Sequence, residues 1–130
     1  MRAIRVNKMT FNLTKIKSPF IDETVQADKY YLIRKNNKIL GGFAYTVLSN
    51  DTVELQGVFK KDKSIKSLFT FIMNFLKGKK VILYCFEALI PLYSKYSFKE
   101  EERYPFNPEL APSEWDIRTL GKQSVVKMTA

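Results

Sequence analysis

The chain has 130 residues, 45% of them apolar, with ten Phe and seven Tyr, enough for one domain with a real core and too apolar for a disordered chain. It has no histidine and a single cysteine, which excludes Ser-His and Cys-His catalysis, an intramolecular disulfide and, in practice, a zinc site. The net charge of +9 is uneven: residues 1–80 carry 16 basic and 6 acidic side chains, whereas residues 81–130 carry 6 and 7, so the first part is expected to meet a phosphorylated cofactor, nucleic acid or an acidic protein.

At the start, "RAIRVNKMTF" has strand-like stretches of mixed periodicity and no hydrophobic signal region. In "KSPFIDETVQAD", Ser18 and Pro19 sit at helix-start positions with Asp22 and Glu23 in the first turn, which predicts a short helix. "KYYLIRK" and "ILGGFAYTVL" read as two strands joined by a tight polar turn at Asn36–Asn37. Gly41 and Gly42 inside the second strand mark a bulge or a close backbone approach. A further turn, "SND", leads into the strand "TVELQGVF", so the chain up to Phe59 reads as an antiparallel meander.

The period then changes. In "VFKKDKSIKSLF" a strand ends, a loop with four lysines follows, and a helix opens. That is where phosphates are often held, although this loop has no glycine. Ile65, Leu68, Phe69, Ile72, Phe75 and Leu76 follow at helical spacing, with Asp62 or Ser64 as the cap and Gly78 just past the end. "KKVILYCFEA" contains a uniformly apolar run, expected as a strand covered on both faces. Within it, a buried, inert thiol is favoured for Cys85 over a nucleophile, and suits a reducing cytoplasm. "IPLYSKYSF" reads as a short helix with Pro91 in its first turn, and "FKEEERYPF" as a strand. After the Pro-rich "NPELAPSEW", residues 118–130 are expected to add one strand and fray. No apolar run approaches the roughly 18–20 residues that span a bilayer. The expectation is one α/β (α+β) domain over residues 1–130, in the cytoplasm and without membrane association.

This order of elements, with "FEALIPLYSKYSFKE" after the central strand-loop-helix, resembles the GNAT superfamily of acyl-CoA-dependent N-acetyltransferases over about residues 28–103. The family pattern Asn-x-x-Ala-x-x-Leu-Tyr-x-x-x-Gly-Phe is matched at Leu92, Tyr93 and Phe98, while its Gly falls on Ser97, its Ala on Leu89 and its Asn on Phe86. The resemblance implies a mixed, mostly antiparallel sheet of about six to seven strands flanked by helices. It also implies acetyl-CoA as co-substrate. The family's pyrophosphate loop, Arg/Gln-x-x-Gly-x-Gly/Ala, corresponds to "KKDKSIKSL", with its glycines near Ser64 and Lys66. Lys60, Lys61, Lys63, Ser64, Ile65 and Lys66 are the cofactor-binding residues this implies, together with Val58 and Phe59, whose backbone would polarise the acyl carbonyl.

The family's thiolate-protonating Tyr falls on Tyr93, and its amine-deprotonating Glu on Glu54. Read without the resemblance, Tyr93 is an amphipathic aromatic packed under a helix, and Glu54 a solvated strand residue paired with a neighbouring lysine. "YPFNPELAPSEWD" is similar to a tail found after GNAT-like domains of phages and mobile elements, with Trp115 packing back on the core as the plainer reading. Two functions follow. One is N-acetylation of a primary amine, on a protein or a small molecule, by direct attack. The other is a catalytically inactive binding or virion component with a host or virion protein partner, in a host cytoplasm. Nucleic-acid binding by residues 1–80 ranks below both, because the aromatics fall at core spacing and no nucleic-acid motif is present.

Overall fold

Period-2 patterning builds the first half of the sheet. In the computed structural model, which describes residues 1–22, 24–63, 65–109, 111 and 115–130, β1 (Arg2–Val6) is followed by α1 (Lys8–Thr14) and a long connection. Then come β2 (Lys29–Lys35), β3 (Lys38–Val47) and β4 (Thr52–Lys60), each antiparallel to the strand before it. The β2–β3 turn puts Asn36 at φ 56°, a left-handed conformation that Asn tolerates better than most residues. α2 (Leu68–Phe75) carries the chain over to β5 (Lys80–Phe86), which lies parallel to β4. A 3-10 turn (Glu87–Leu89), α3 (Ile90–Ser94), β6 (Lys99–Tyr104), α4 (Ile117–Leu120) and β7 (Val125–Thr129) complete the order. The seven strands form one mostly antiparallel sheet, β1-β2-β3-β4-β5-β7-β6.

Alternation sorts the apolar side chains onto two faces. On one, Ile33, Phe43, Val53, Leu55, Val81, Leu83, Val126 and Met128 meet Leu68 and Ile72 of α2, together with Phe98. On the other, Phe11 of α1 meets Val25, Tyr30, Leu32, Ala44 and Phe59.

Four expectations are corrected. The strand-like N-terminus contains α1, whose cap Asn7 accepts a hydrogen bond from the Thr10 N–H at 2.8 Å. Only Phe11 of this helix is buried, while Met9 and Leu13 are 71% and 80% exposed, so no apolar stripe announces it. The helix expected over "KSPFIDETVQAD" does not form among the described residues, Glu23 lying outside them. Ser18 instead closes a turn, accepting from Phe20, and Asn12 grips Val25 from both sides, accepting from its N–H at 2.7 Å and donating to its carbonyl at 3.0 Å. α2 starts at Leu68 rather than Ile65, after Ser67, with no side-chain cap. Asp62 is tied to Lys38 at 3.0 Å, and Ser64, the other candidate cap, lies outside the described residues. Finally, the tail is not frayed. β7 sits between β5 and β6, with Val126 and Met128 fully buried, because β5 has an open edge that only this segment fills. β5 itself is covered on both faces only in part, since Tyr84 is 45% exposed.

Candidate active site

β4 and β5 pair at only three positions, Thr52–Lys80, Val53–Val81 and Glu54–Ile82. Beyond them the strands run on, over residues 55–60 and 83–86, without pairing to each other. β5 keeps β7 on its other side as far as Phe86. The sheet therefore opens into a V, and the strand edges facing into it leave backbone groups without a ladder partner.

A β-bulge on the other side of β4 shapes this edge. Phe59 opposes Gly42 and Gln56 opposes Ala44, so β4 has one residue more than β3 in between. The extra residue is accommodated at Gly57, with φ +59°. The bulge reverses the alternation: Val58 packs towards the α2 face and Phe59 is buried on the α1 face. Gly57 and Val58 have no register partner on β3.

The V is the core of a cleft of about 690 Å3. It brings together Glu54, Val58, Phe59, Lys60, Lys63, Ile65, Lys66 and Tyr93, eight of the ten expected site residues. Lys61 does not line it: the N–H groups of Lys61 and Asp62 both donate to the Leu40 carbonyl, at 2.8 and 3.3 Å, which ties this part of the loop to β3. Ser64 lies outside the described residues. Phe59 lines the cleft only marginally: the residue is 2% exposed, its ring packs edge-on to Phe11, and its backbone is in register with Gly42 of β3.

The backbone N–H groups at the start of α2 that make no hydrogen bond to a described residue lie further along the chain than the expected Lys63–Lys66. The Ile65 N–H is used in a turn, donating to the Asp62 carbonyl at 3.2 Å. The N–H groups of Lys66, Ser67, Leu68 and Phe69 make no hydrogen bond to a described residue, and they stand at the positive end of α2 beside the Lys63 and Lys66 side chains.

Glu54 and Tyr93 flank the V from opposite faces. Glu54 is on β4, facing the α1 side, opposite in phase to buried Val53 and Leu55. Burial pushes its carboxyl above the usual range, the Asp22 carboxylate adds to this, and a hydrogen bond with Gln56 opposes it. Gln56 is oriented in turn by the Thr46 hydroxyl, which donates to its Oε1 at 3.0 Å. Tyr93, on α3, is packed against Phe69 and Phe98 at ring separations of 5.5 and 5.9 Å. Its phenol is pushed up to about 12, chiefly by burial and then by Cys85. No described residue hydrogen-bonds its hydroxyl, yet no buried side-chain polar atom lacks a partner among the described residues, so the hydroxyl opens onto the cleft. Cys85 is buried, its thiol raised to about 11, as suits an inert group.

Sequence reasoning missed part of the lining. Asp22, Phe20, Gln56, Phe86, Phe69 and Tyr96 also face the cleft. Asp22 was visible only as a helix-start acid, and no local pattern joins it to Glu54.

No family model matches the chain, and no curated protein matches it. Solved structures do. An IAA acetyltransferase from Bacillus cereus aligns over 98% of this chain and 97% of its own, with 14% identity and a TM-score of 0.66. A putative acetyltransferase from Salmonella typhimurium with acetyl-CoA aligns over 100% and 92%, with 12% identity and a TM-score of 0.62. A GNAT family acetyltransferase from Elizabethkingia anophelis with acetyl-CoA bound aligns over 78% and 74%, with 16% identity and a TM-score of 0.58. At these identities the likeness is one of fold, and it bears out the resemblance read from the sequence at that level: the chain has the fold of the GNAT acetyltransferases.

Proposed function

We propose that the protein is an acetyl-CoA-dependent N-acetyltransferase that acts on a primary amine by direct attack. The observation that carries this reading is the V between β4 and β5. It runs through the sheet with lysines and helix-end N–H groups that have no partner among the described residues at one end, and with a carboxylate and a phenol on opposite faces of its centre.

The residues present fit the co-substrate, which supplies an acetyl group on a thioester. Lys60, Lys63 and Lys66 provide cationic charge for its phosphates, and the backbone N–H groups of residues 66–69 give the directional contacts that the missing glycines do not. The edge of β4 at Val58, which has no register partner on β3 and none on β5, offers a main-chain donor where the acyl carbonyl would lie, whereas the expected second donor, Phe59, is paired with Gly42 of β3. Glu54 accepts the proton of the incoming ammonium, directly or through water, and its raised pKa brings it nearer the range useful to a base. Tyr93 faces the departing sulfur. With its pKa near 12, complete proton transfer to a thiolate of ordinary pKa is uphill, so Tyr93 works first as a hydrogen-bond donor that stays protonated at every physiological pH. Direct attack needs neither histidine nor metal, and the chain has no histidine.

The test is binding. At 1 mM acetyl-CoA, a dissociation constant of about 10 μM corresponds to a stabilisation of roughly 2–3 kcal/mol, visible as a rise in Tm. No rise would retire the enzyme reading and leave a non-catalytic binding protein on the same fold.

A further inference from the structure

We propose that the acceptor end of the cleft selects a compact monocationic amine carried on a flat apolar or aromatic body; this rests on the acetyltransferase reading above. The charged groups that line the cleft divide by sign. Lys60, Lys63 and Lys66 belong to the loop end, and Asp22 and Glu54 to the other. The two carboxylates are near enough for Asp22 to disfavour ionisation of Glu54, so they share one locality and suit one ammonium. An acceptor bearing its own carboxylate or phosphate would meet like charge there.

The rest of this end is aromatic. From the pairing of Glu54 with Ile82, alternation puts Phe86 on the same face of the sheet as Glu54. Phe20, two residues before Asp22, meets Phe86 edge-on at 6.2 Å, and both rings line the cleft. Trp115 holds them in place. Its indole lies 4.0 Å from Phe86 and 5.7 Å from Phe20, and its N–H donates to the Gly121 carbonyl at 2.9 Å. A pre-packed aromatic wall offers apolar contact at little entropic cost, and among the described residues lining this end of the cleft only Asp22 and Glu54 carry a carboxylate.

Trp115 is the sole tryptophan of the chain, so its emission reports directly on this wall. The experiment titrates the full chain, alone and saturated with CoA, with 2-phenylethylamine at constant ionic strength. A saturable change in Trp115 emission is expected. Spermidine, which lacks the ring, and phenylacetate, which lacks the ammonium, should bind at least about tenfold more weakly. Phe86→Leu and Asp22→Asn should each weaken phenylethylamine about fivefold or more and leave acetyl-CoA affinity within about twofold. Absence of a saturable change in both forms, or spermidine binding as tightly, overturns the proposal. So does an Asp22→Asn variant that binds the amine as well as the parent. Acetyl-CoA stabilisation, measured separately, reads the transferase function. If the amine saturates but acetyl-CoA gives no shift, the amine site stands and the transferase reading falls. If acetyl-CoA binds and the amine does not, only the present proposal falls.

Discussion

In the proposed reaction Glu54 acts as base and Tyr93 as hydrogen-bond donor, and each role has a measurable signature. Tyr93→Phe keeps the ring contacts to Phe69 and Phe98 and removes only the hydroxyl. Turnover should fall about 10²-fold while Tm stays within about 2 °C, in steady-state assays and a thermal melt. Glu54 trades stability for basicity. Its folded-state pKa is raised above the unfolded value, so the folded state binds the extra proton, and stability falls as pH rises through that window. Glu54→Gln should therefore raise Tm by about 1–3 °C at pH 7 and have little effect at pH 4, while it abolishes the rise of kcat/KM with pH that a carboxylate base confers. Ser97 stands where the resembled family has glycine, and its φ of 70° explains why glycine suits the position. Ser97→Gly should stabilise the protein by about 1 kcal/mol in chemical denaturation. Tyr93 was singled out by a short pattern of fixed spacing and Glu54 by its place in the strand "TVELQGVF", and the cleft brings the two together. Phe20 and Asp22 were not legible, because Asn12 holds their segment from 13 residues away at Val25 rather than through any local signal.

Among the elements, the meander of β2, β3 and β4 was legible from alternation and turn residues alone. α1 was hidden because it buries one side chain, Phe11. α2 was placed but started too early: its apolar spacing begins at Ile65, whereas the Ile65 N–H is already committed to a turn. That delay leaves the N–H groups of residues 66–69 without a hydrogen-bond partner among the described residues, and the proposed phosphate contacts rest on them. Lys63→Glu with Lys66→Glu should raise KM for acetyl-CoA about tenfold or more and change KM for the amine far less, a split read from initial rates. The Gly41–Gly42 pair in β3 was read as a bulge or a close approach; the register shift lies just past Gly42, and a Cβ on Gly41 would collide with the Phe59 carbonyl oxygen. Gly41→Ala should destabilise the fold by about 2–3 kcal/mol in denaturant unfolding. Because that carbonyl belongs to the bulged stretch of β4, activity in the surviving folded fraction should fall as well.

The whole molecule is two half-sheets, β1 to β4 and β5-β7-β6, which meet across three residue pairs. This division was invisible to local patterns, since β7 reaches its place beside β5 from 39 residues away in sequence at the Phe86–Val125 pair. The same division bears on how the protein moves. Three pairs are a short hinge, so the two halves can change their opening angle without breaking either half's own ladders. A ligand lying in the V would act as a missing strand that splints them together. Backbone amides of residues 55–60 and 83–86 that face the V should exchange their hydrogens quickly in the free protein and slowly when it is occupied, while those at Val53 and Val81 stay slow in both states.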